Sequence, residues 1–198
     1  LKSTVANLSS ENNKLQQKFL SNEILLSGLP YLKKEEIPPL INSLSTHLDV
    51  PIEENDVQDA FSIPSRDKKN AITIIKFYNN RLKAALIKKF KEKSPVMMED
   101  IFRLPPNDKR RGCKIYASSN LTAENRIIKK AARSEGIIKY VWEKDGIIRV
   151  RETDNSPVFI IDSINRLNEI VQKIRYPNNQ QQQSNQVNNN ISEDENEN

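Results

Sequence analysis

The chain has 198 residues, with 31 Lys+Arg against 26 Asp+Glu and 36% apolar residues, so its net charge is +5 and only part of it can form a core. A single Cys (Cys113) and a single His (His47) exclude a disulfide framework, a zinc finger, and a Ser-His or Cys-His enzyme needing several copies. No run approaches the ~18 consecutive apolar residues of a membrane span.

Residues 1–22 read as a polar helix. Leu1, Leu8 and Leu15 recur every seven residues, with Val5, Asn12 and Phe19 at the alternating offset. This is a heptad pattern with Asn12 at an a position, where a buried amide can set register and strand number. Two readings are open: an amphipathic helix packed on its own domain, or the end of a longer coiled coil that makes the protein a homo-oligomer. The start at Leu1 rather than Met favours the second.

Residues 23–104 read as a first α/β unit. Glu23–Leu29 is a short apolar run closed by Gly28 and Pro30, and hence a strand. Ile37, Leu40, Ile41, Leu44 and Leu48 have helical spacing, with Pro38 and Pro39 in the first turn. Val57–Ile63 is a weaker strand, and Pro64–Asn70 is a polar loop carrying Arg66, Lys68 and Lys69. Ala71–Tyr78 (AITIIKFY) is the strongest strand in the chain. Asn80–Lys93 is a helix with Leu82, Ala85, Leu86 and Phe90 inward, and Arg81, Lys83, Lys88, Lys89, Lys91 and Lys93 on its other faces. Val96–Leu104 would add a last strand, completing a β-α-β-β-α-β order. Residues 105–113 (PPNDKRRGC) are a linker by composition and concentrate Lys109, Arg110 and Arg111.

Residues 114–176 read as a second small unit. It would hold a strand at Lys114–Ala117 and an N-cap at Thr122. The helix Ala123–Glu135 would turn Ile127, Ile128 and Ala131 inward and carry Arg126, Lys130 and Arg133 as a basic stripe. A hairpin follows around Lys144-Asp145-Gly146, then a strand at Val158–Ile161 and a helix at Ser163–Ile174 burying Ile164, Leu167, Val171 and Ile174. Residues 177–198 (PNNQQQQSNQVNNNISEDENEN) have nothing to bury and are expected to be disordered. Their four acids leave 31 bases against 22 acids in the rest of the chain, a net of +9. The fold expected is α+β: a coiled-coil helix, a split βαβ domain, a small basic α/β domain and a polar tail.

No catalytic constellation is legible, so neither an enzyme nor a cofactor is expected. Glu35, Glu36, Glu53 and Glu54 lack the paired spacing of a metal site, and with four glycines in the chain no phosphate-cradling loop can be drawn. What remains is cationic charge on small α/β units, in three clusters. These are Arg66, Lys68 and Lys69 with Lys88 and Lys89; Lys109, Arg110 and Arg111; and Arg126, Lys130 and Arg133 with Lys139, Arg149 and Arg151. Charge of this kind binds nucleic-acid phosphates by releasing counterions.

The hairpin register decides what the last cluster can do. A two-residue Asp145-Gly146 turn sets Trp142 opposite Arg149 and Tyr140 opposite Arg151, a stacking platform with cationic flanks. A bulged three-residue loop instead sets Trp142 against Ile148 and Tyr140 against Val150 in the core. The need of Ile148 and Val150 for core partners favours the buried-Trp register.

These segments resemble a known group. A heptad helix, ILLSGLP, a PSRDKK loop before ITIIKFY, LTAENR, a basic helix and the YVW…DGIIRVR hairpin occur in the order seen in insect and viral proteins carrying the baculovirus few-polyhedra (FP) C-terminal domain. Those insect proteins are similar in layout to the first-open-reading-frame proteins of LINE-type retrotransposons: coiled coil, RRM-like domain, small basic domain. The resemblance implies an oligomer, commonly a trimer, that coats single-stranded RNA as a chaperone. The viral branch implies nucleocapsid trafficking and envelopment instead. An RRM stacks bases on aromatic residues of its two central strands. Here Leu25, Ile72 and Ile74 stand in those places, so any grip on RNA is expected to be mainly electrostatic, with weak sequence preference and steep salt dependence.

Overall fold

Alternation along Glu23–Leu29 sets the first sheet. In this strand, β1, Ile24, Leu26 and Leu29 are buried while Glu23, Leu25 and Ser27 take the other face. The computed structural model describes residues 2–64 and 71–177. Leu1, the loop cations Arg66, Lys68 and Lys69, and the tail from Asn178 onward lie outside the described residues. The protein is a mixed helix-and-strand chain of two units, Leu1–Thr122 and Ala123–Asn198.

The first unit begins with α1 (Lys2–Phe19), then β1, α2 (Ile37–Leu48), β2 (Val57–Pro64), β3 (Ala71–Phe77) and α3 (Asn80–Glu92). It ends with β4 (Val96–Met97), the one-turn α4 (Met98–Ile101) and β5 (Lys114–Ser119). The strand order is β2-β3-β1-β5-β4, every neighbour antiparallel. In α2 the predicted set Ile37, Leu40, Ile41, Leu44 and Leu48 is buried, and Pro38 and Pro39 occupy the first turn. These side chains close a core with Ile75, Phe77, Leu86, Phe90, Met98 and Ile115.

Three expectations are corrected in this unit. The place beside β1 belongs to β5, which the sequence had assigned to the second unit, and not to 96–104. Ile115 packs into the core and Ala117 lies partly buried against it, whereas after two extended residues the Asp100 carboxylate accepts the Met97 N–H (2.7 Å) and turns the chain helical. Gly28 does not end β1 but forms a bulge in it, at φ +88°. A Cβ there would lie 2.1 Å from the Lys114 carbonyl, so only glycine lets β5 approach. Lys83, expected outside, is 3% exposed, its ammonium donating to the Ser21 carbonyl.

One side of α1 is bound to the end of this unit. The Gln17 amide donates to Asn120 O (2.9 Å) and accepts from Thr122 N (3.0 Å), and the Thr122 hydroxyl donates to Asn13 Oδ1 (2.6 Å). The heptad stripe lies elsewhere on the helix. Val5, Leu8, Leu15 and Phe19 are 55–76% exposed, and Asn12 is exposed among them.

The second unit contains α5 (Ala123–Ser134), β6 (Tyr140–Lys144), β7 (Ile147–Arg151), β8 (Phe159–Ile161) and α6 (Ile164–Arg175), with strand order β6-β7-β8. Ile148, Val150 and Ile161 are buried beneath the helices with Ile128, Ala132, Leu167, Ile170 and Val171. The inward face of α5 is rotated from the expected one. It presents Asn125, Ile128 and Ala132, leaves Ala131 half-buried, and turns Ile127 out at 61% exposure. The Asn125 amide donates to Gly146 O (3.0 Å), so a polar side chain holds the hairpin turn against the helix. In α6, Leu167 and Val171 are buried as expected, but Ile164 is 38% exposed and Ile174 only half-buried, and Ile170, which was not among the expected residues, lies inside.

The hairpin takes the register that sequence reasoning disfavoured. Tyr140 pairs with Arg151, Val141 with Val150, Trp142 with Arg149 and Glu143 with Ile148. Asp145 (φ 57°) and Gly146 (φ 77°) are both left-handed, as a two-residue type I′ turn requires. Ile148 and Val150 find their apolar neighbours in the helices and in β8, so Trp142 is not needed inside.

Candidate nucleic-acid interface

Because side chains alternate along a strand, this register gives the second sheet an outer face of mixed chemistry. One row across the three strands holds Trp142, Arg149 and Ile160, and the next holds Tyr140 and Arg151. Ile160 is 55% exposed, and both aromatic residues and both arginines are half-buried. The Arg151 guanidinium and the Lys139 ammonium each lie 5.0 Å from the Tyr140 ring centroid, within cation–π range. Arg151 Nε is buried without a hydrogen-bond partner. Arg149 is steadied by the turn, its Nη1 donating to Lys144 O (2.8 Å) and Ile147 O (3.4 Å). Neither arginine pairs with a carboxylate among the described residues.

The expected cations divide by partner. Lys88 and Lys89 share Glu92 at 3.7 and 3.1 Å, and the Lys89 hydrogen bond is the main reason that the Glu92 carboxyl lies below its usual range. Arg110 grips Asp108 with two nitrogens, Nη2 at 2.6 Å and Nε at 3.0 Å, and holds its pKa down to about 2. Arg111 pairs with Glu99 at 2.7 Å. Lys139 pairs with Asp154 at 2.6 Å, and the Tyr140 hydroxyl donates to the same carboxylate. Lys139 first and Tyr140 second lower the Asp154 pKa, and Asp154 raises that of Lys139. By contrast Lys109, Arg126, Lys130 and Arg133 are exposed with no carboxylate partner among the described residues.

The structure does not gather the third cluster into one patch. Arg126, Lys130 and Arg133 ride on α5, which covers one side of the sheet, while Arg149 and Arg151 project from the other. On the first unit, the outer sheet face carries Ile72 and the nearly buried Ile74 where aromatic residues were missing, and also two aromatics that sequence reasoning passed over. These are Phe61, opposite Ile74, and Tyr116, opposite Ser27, at 42% and 61% exposure. Their outward alternation in short strands was the available signal. Among the described residues no cluster of His, Cys, Asp and Glu could hold a metal ion, and no helix is long and apolar enough to cross a membrane.

Residues 122–171 match the family model described as baculovirus FP protein domain 2. The match runs from Thr122 through α5 and the three strands into α6, so the second unit is FP-like. No curated protein matches this chain.

Proposed function

We propose that this protein binds single-stranded nucleic acid, RNA in particular, with little sequence preference, as a coat or chaperone protein of retrotransposon type. The observation that carries the reading is the outer face of the second sheet, where Trp142 and Tyr140 stand opposite Arg149 and Arg151. Ring faces stack on any base, and guanidinium groups that form no ion pair with a carboxylate among the described residues can meet phosphate. Asp154, beside Tyr140, acts on Arg151 electrostatically without pairing with it. Arg126, Lys130 and Arg133 extend the cationic surface on α5. In the first unit the strand order β2-β3-β1-β5 is the one an RRM-like domain uses, and its apolar central strands leave little stacking to that sheet. Self-association through Val5, Leu8, Asn12, Leu15 and Phe19 would bring several copies onto one strand.

The test is a filter-binding titration with single-stranded RNA across salt. If about three phosphates are neutralised, tripling the salt weakens binding about tenfold. Reversing Arg126, Lys130 and Arg149 to Glu together abolishes binding and leaves the circular dichroism spectrum unchanged. Affinity that hardly moves with salt, or that survives the triple reversal, overturns the reading.

A second reading is supported by the exposed heptad stripe: a protein-interaction module in viral nucleocapsid trafficking or particle assembly. Under it, the triple reversal leaves partner binding intact.

A further inference from the structure

Behind the second sheet, on the side covered by helices, α6 and β8 leave a cleft of about 470 Å³. Its floor is apolar: Ile170 is 2% exposed, and Phe159, which pairs with Val150 and so shares the covered face, is only half-buried. Tyr176, directly after the last turn of α6, lines the cleft and is 58% exposed. Arg166 and Lys173, seven residues apart, stand on one face of α6 about 10.5 Å apart along its axis. Glu169 also lines the cleft, but it is held by Arg166 at 2.8 Å, whereas Lys173 has no carboxylate partner among the described residues. Gln172 adds an exposed amide that can both donate and accept.

We infer that this cleft takes one unstacked nucleotide, its base against Phe159 and Tyr176, its edge read by Gln172 and its phosphate met by Lys173. The volume lies within the roughly 300–1,000 Å³ of small-ligand sites, which pair an apolar lining with a few placed polar groups. A nucleotide has that same division: apolar faces, polar edges and one anionic end. An aromatic floor with one unpaired ammonium fits it better than it fits a bare phosphate, which has no use for two rings. The site differs from the Trp142 face, being on the opposite side of the sheet. As a subsite for a strand it rests on the function proposed above; as a site for a free nucleotide it does not.

Two arms separate these sources. In the first, adenosine 5′-monophosphate and adenosine are titrated into the full chain and followed by amide NMR. The monophosphate shifts the signals of Phe159, Gln172, Lys173 and Tyr176, and adenosine shifts the same signals at severalfold higher concentration. Lys173→Gln removes the difference between the two ligands. Tyr176→Ala weakens both at least fivefold, whereas Tyr176→Phe retains them. In the second arm, single-stranded RNA is titrated across salt. Tyr176→Ala lowers affinity about fivefold with an unchanged salt slope, and Lys173→Gln lowers the slope by about 0.7. Signals at Phe159 and Gln172–Tyr176 that stay still with the monophosphate overturn the site, and so does a Tyr176→Ala chain that binds both RNA and the monophosphate like the wild type. If Arg149→Glu with Arg151→Glu abolishes RNA binding while Tyr176→Ala has no effect on it, the strand subsite fails and the polyanion reading stands. If the wild-type chain takes the monophosphate but ignores RNA, the polyanion reading fails and the cleft belongs to a free nucleotide.

Discussion

Asp108 shows how one carboxylate can silence a cation that composition counts as free. Its two oxygens hold Arg110 through both Nε and Nη2, and its pKa of about 2 keeps it ionised at any physiological pH. An exposed pair of this kind adds little to stability, but it removes a positive charge from the field that a polyanion meets. Asp108→Asn is therefore expected to leave the thermal unfolding midpoint nearly unchanged. It should also steepen the salt dependence of RNA binding by up to ~0.7, one further phosphate contact. Salt titrations of the two chains side by side check this. Asp154 restrains Lys139 and Tyr140 in the same way. Its folded pKa is lowered, so its contribution is complete above the unfolded value of about 3.9 and is lost as pH falls through the folded value. The Tyr140 ring signals are then flat between pH 6 and 8 and move only below about pH 4. Asp154→Ala releases Lys139 at neutral pH. A transition of those signals near neutrality would contradict the assignment.

At the scale of elements, the attachment of β5 to β1 depends on a residue without a side chain. Gly28 combines a positive φ with a backbone carbonyl where its Cβ would go, and the two penalties cannot be relieved together. Gly28→Ala is expected to cost about 2 kcal/mol or more, read as a lower denaturation midpoint. Gly112, whose Cβ position is open space, should accept alanine with little change. The hairpin illustrates the converse. Its turn residues alone specify the register, since Asp145-Gly146 favours left-handed φ at both positions. That local preference prevailed over the expectation that the largest apolar side chain, Trp142, should be inside. The core was already supplied by α5, α6 and β8.

For the whole molecule, α1 has two faces of different character. Asn13 and Gln17 bind residues 120–122 of their own unit, and the Val5, Leu8, Leu15 and Phe19 stripe on the rest of the helix is exposed. Replacing Leu8 and Leu15 by Glu is expected to reduce the mass in sedimentation equilibrium to that of one chain without unfolding either unit. If several copies share one strand, the same variant loses RNA affinity by at least tenfold through lost avidity, although no cation has been touched. An unchanged mass would show that the stripe serves something other than self-association.

Periodicity was sufficient to find α2, α3, α6, β3 and the hairpin, because the 3.6- and 2-residue repeats are set locally by which face is buried. The scarcity of His, Cys and Gly was likewise a property of composition alone. The inward face of α5 was misplaced because its first turn holds a buried asparagine, Asn125, whose amide meets the Gly146 carbonyl from the hairpin. Which strand lies beside β1 was decided by a close backbone approach at Gly28, between segments about ninety residues apart. Which cations remain available was decided by partners such as Glu99 for Arg111 and Asp154 for Lys139. A charge is written in the sequence, but its neutralisation depends on what folding brings within 4 Å of it. For this reason the tertiary structure, and not the count of lysines and arginines, separates Lys109, Arg149, Arg151 and the α5 stripe from carboxylate-held cations such as Arg110, Arg111 and Lys139.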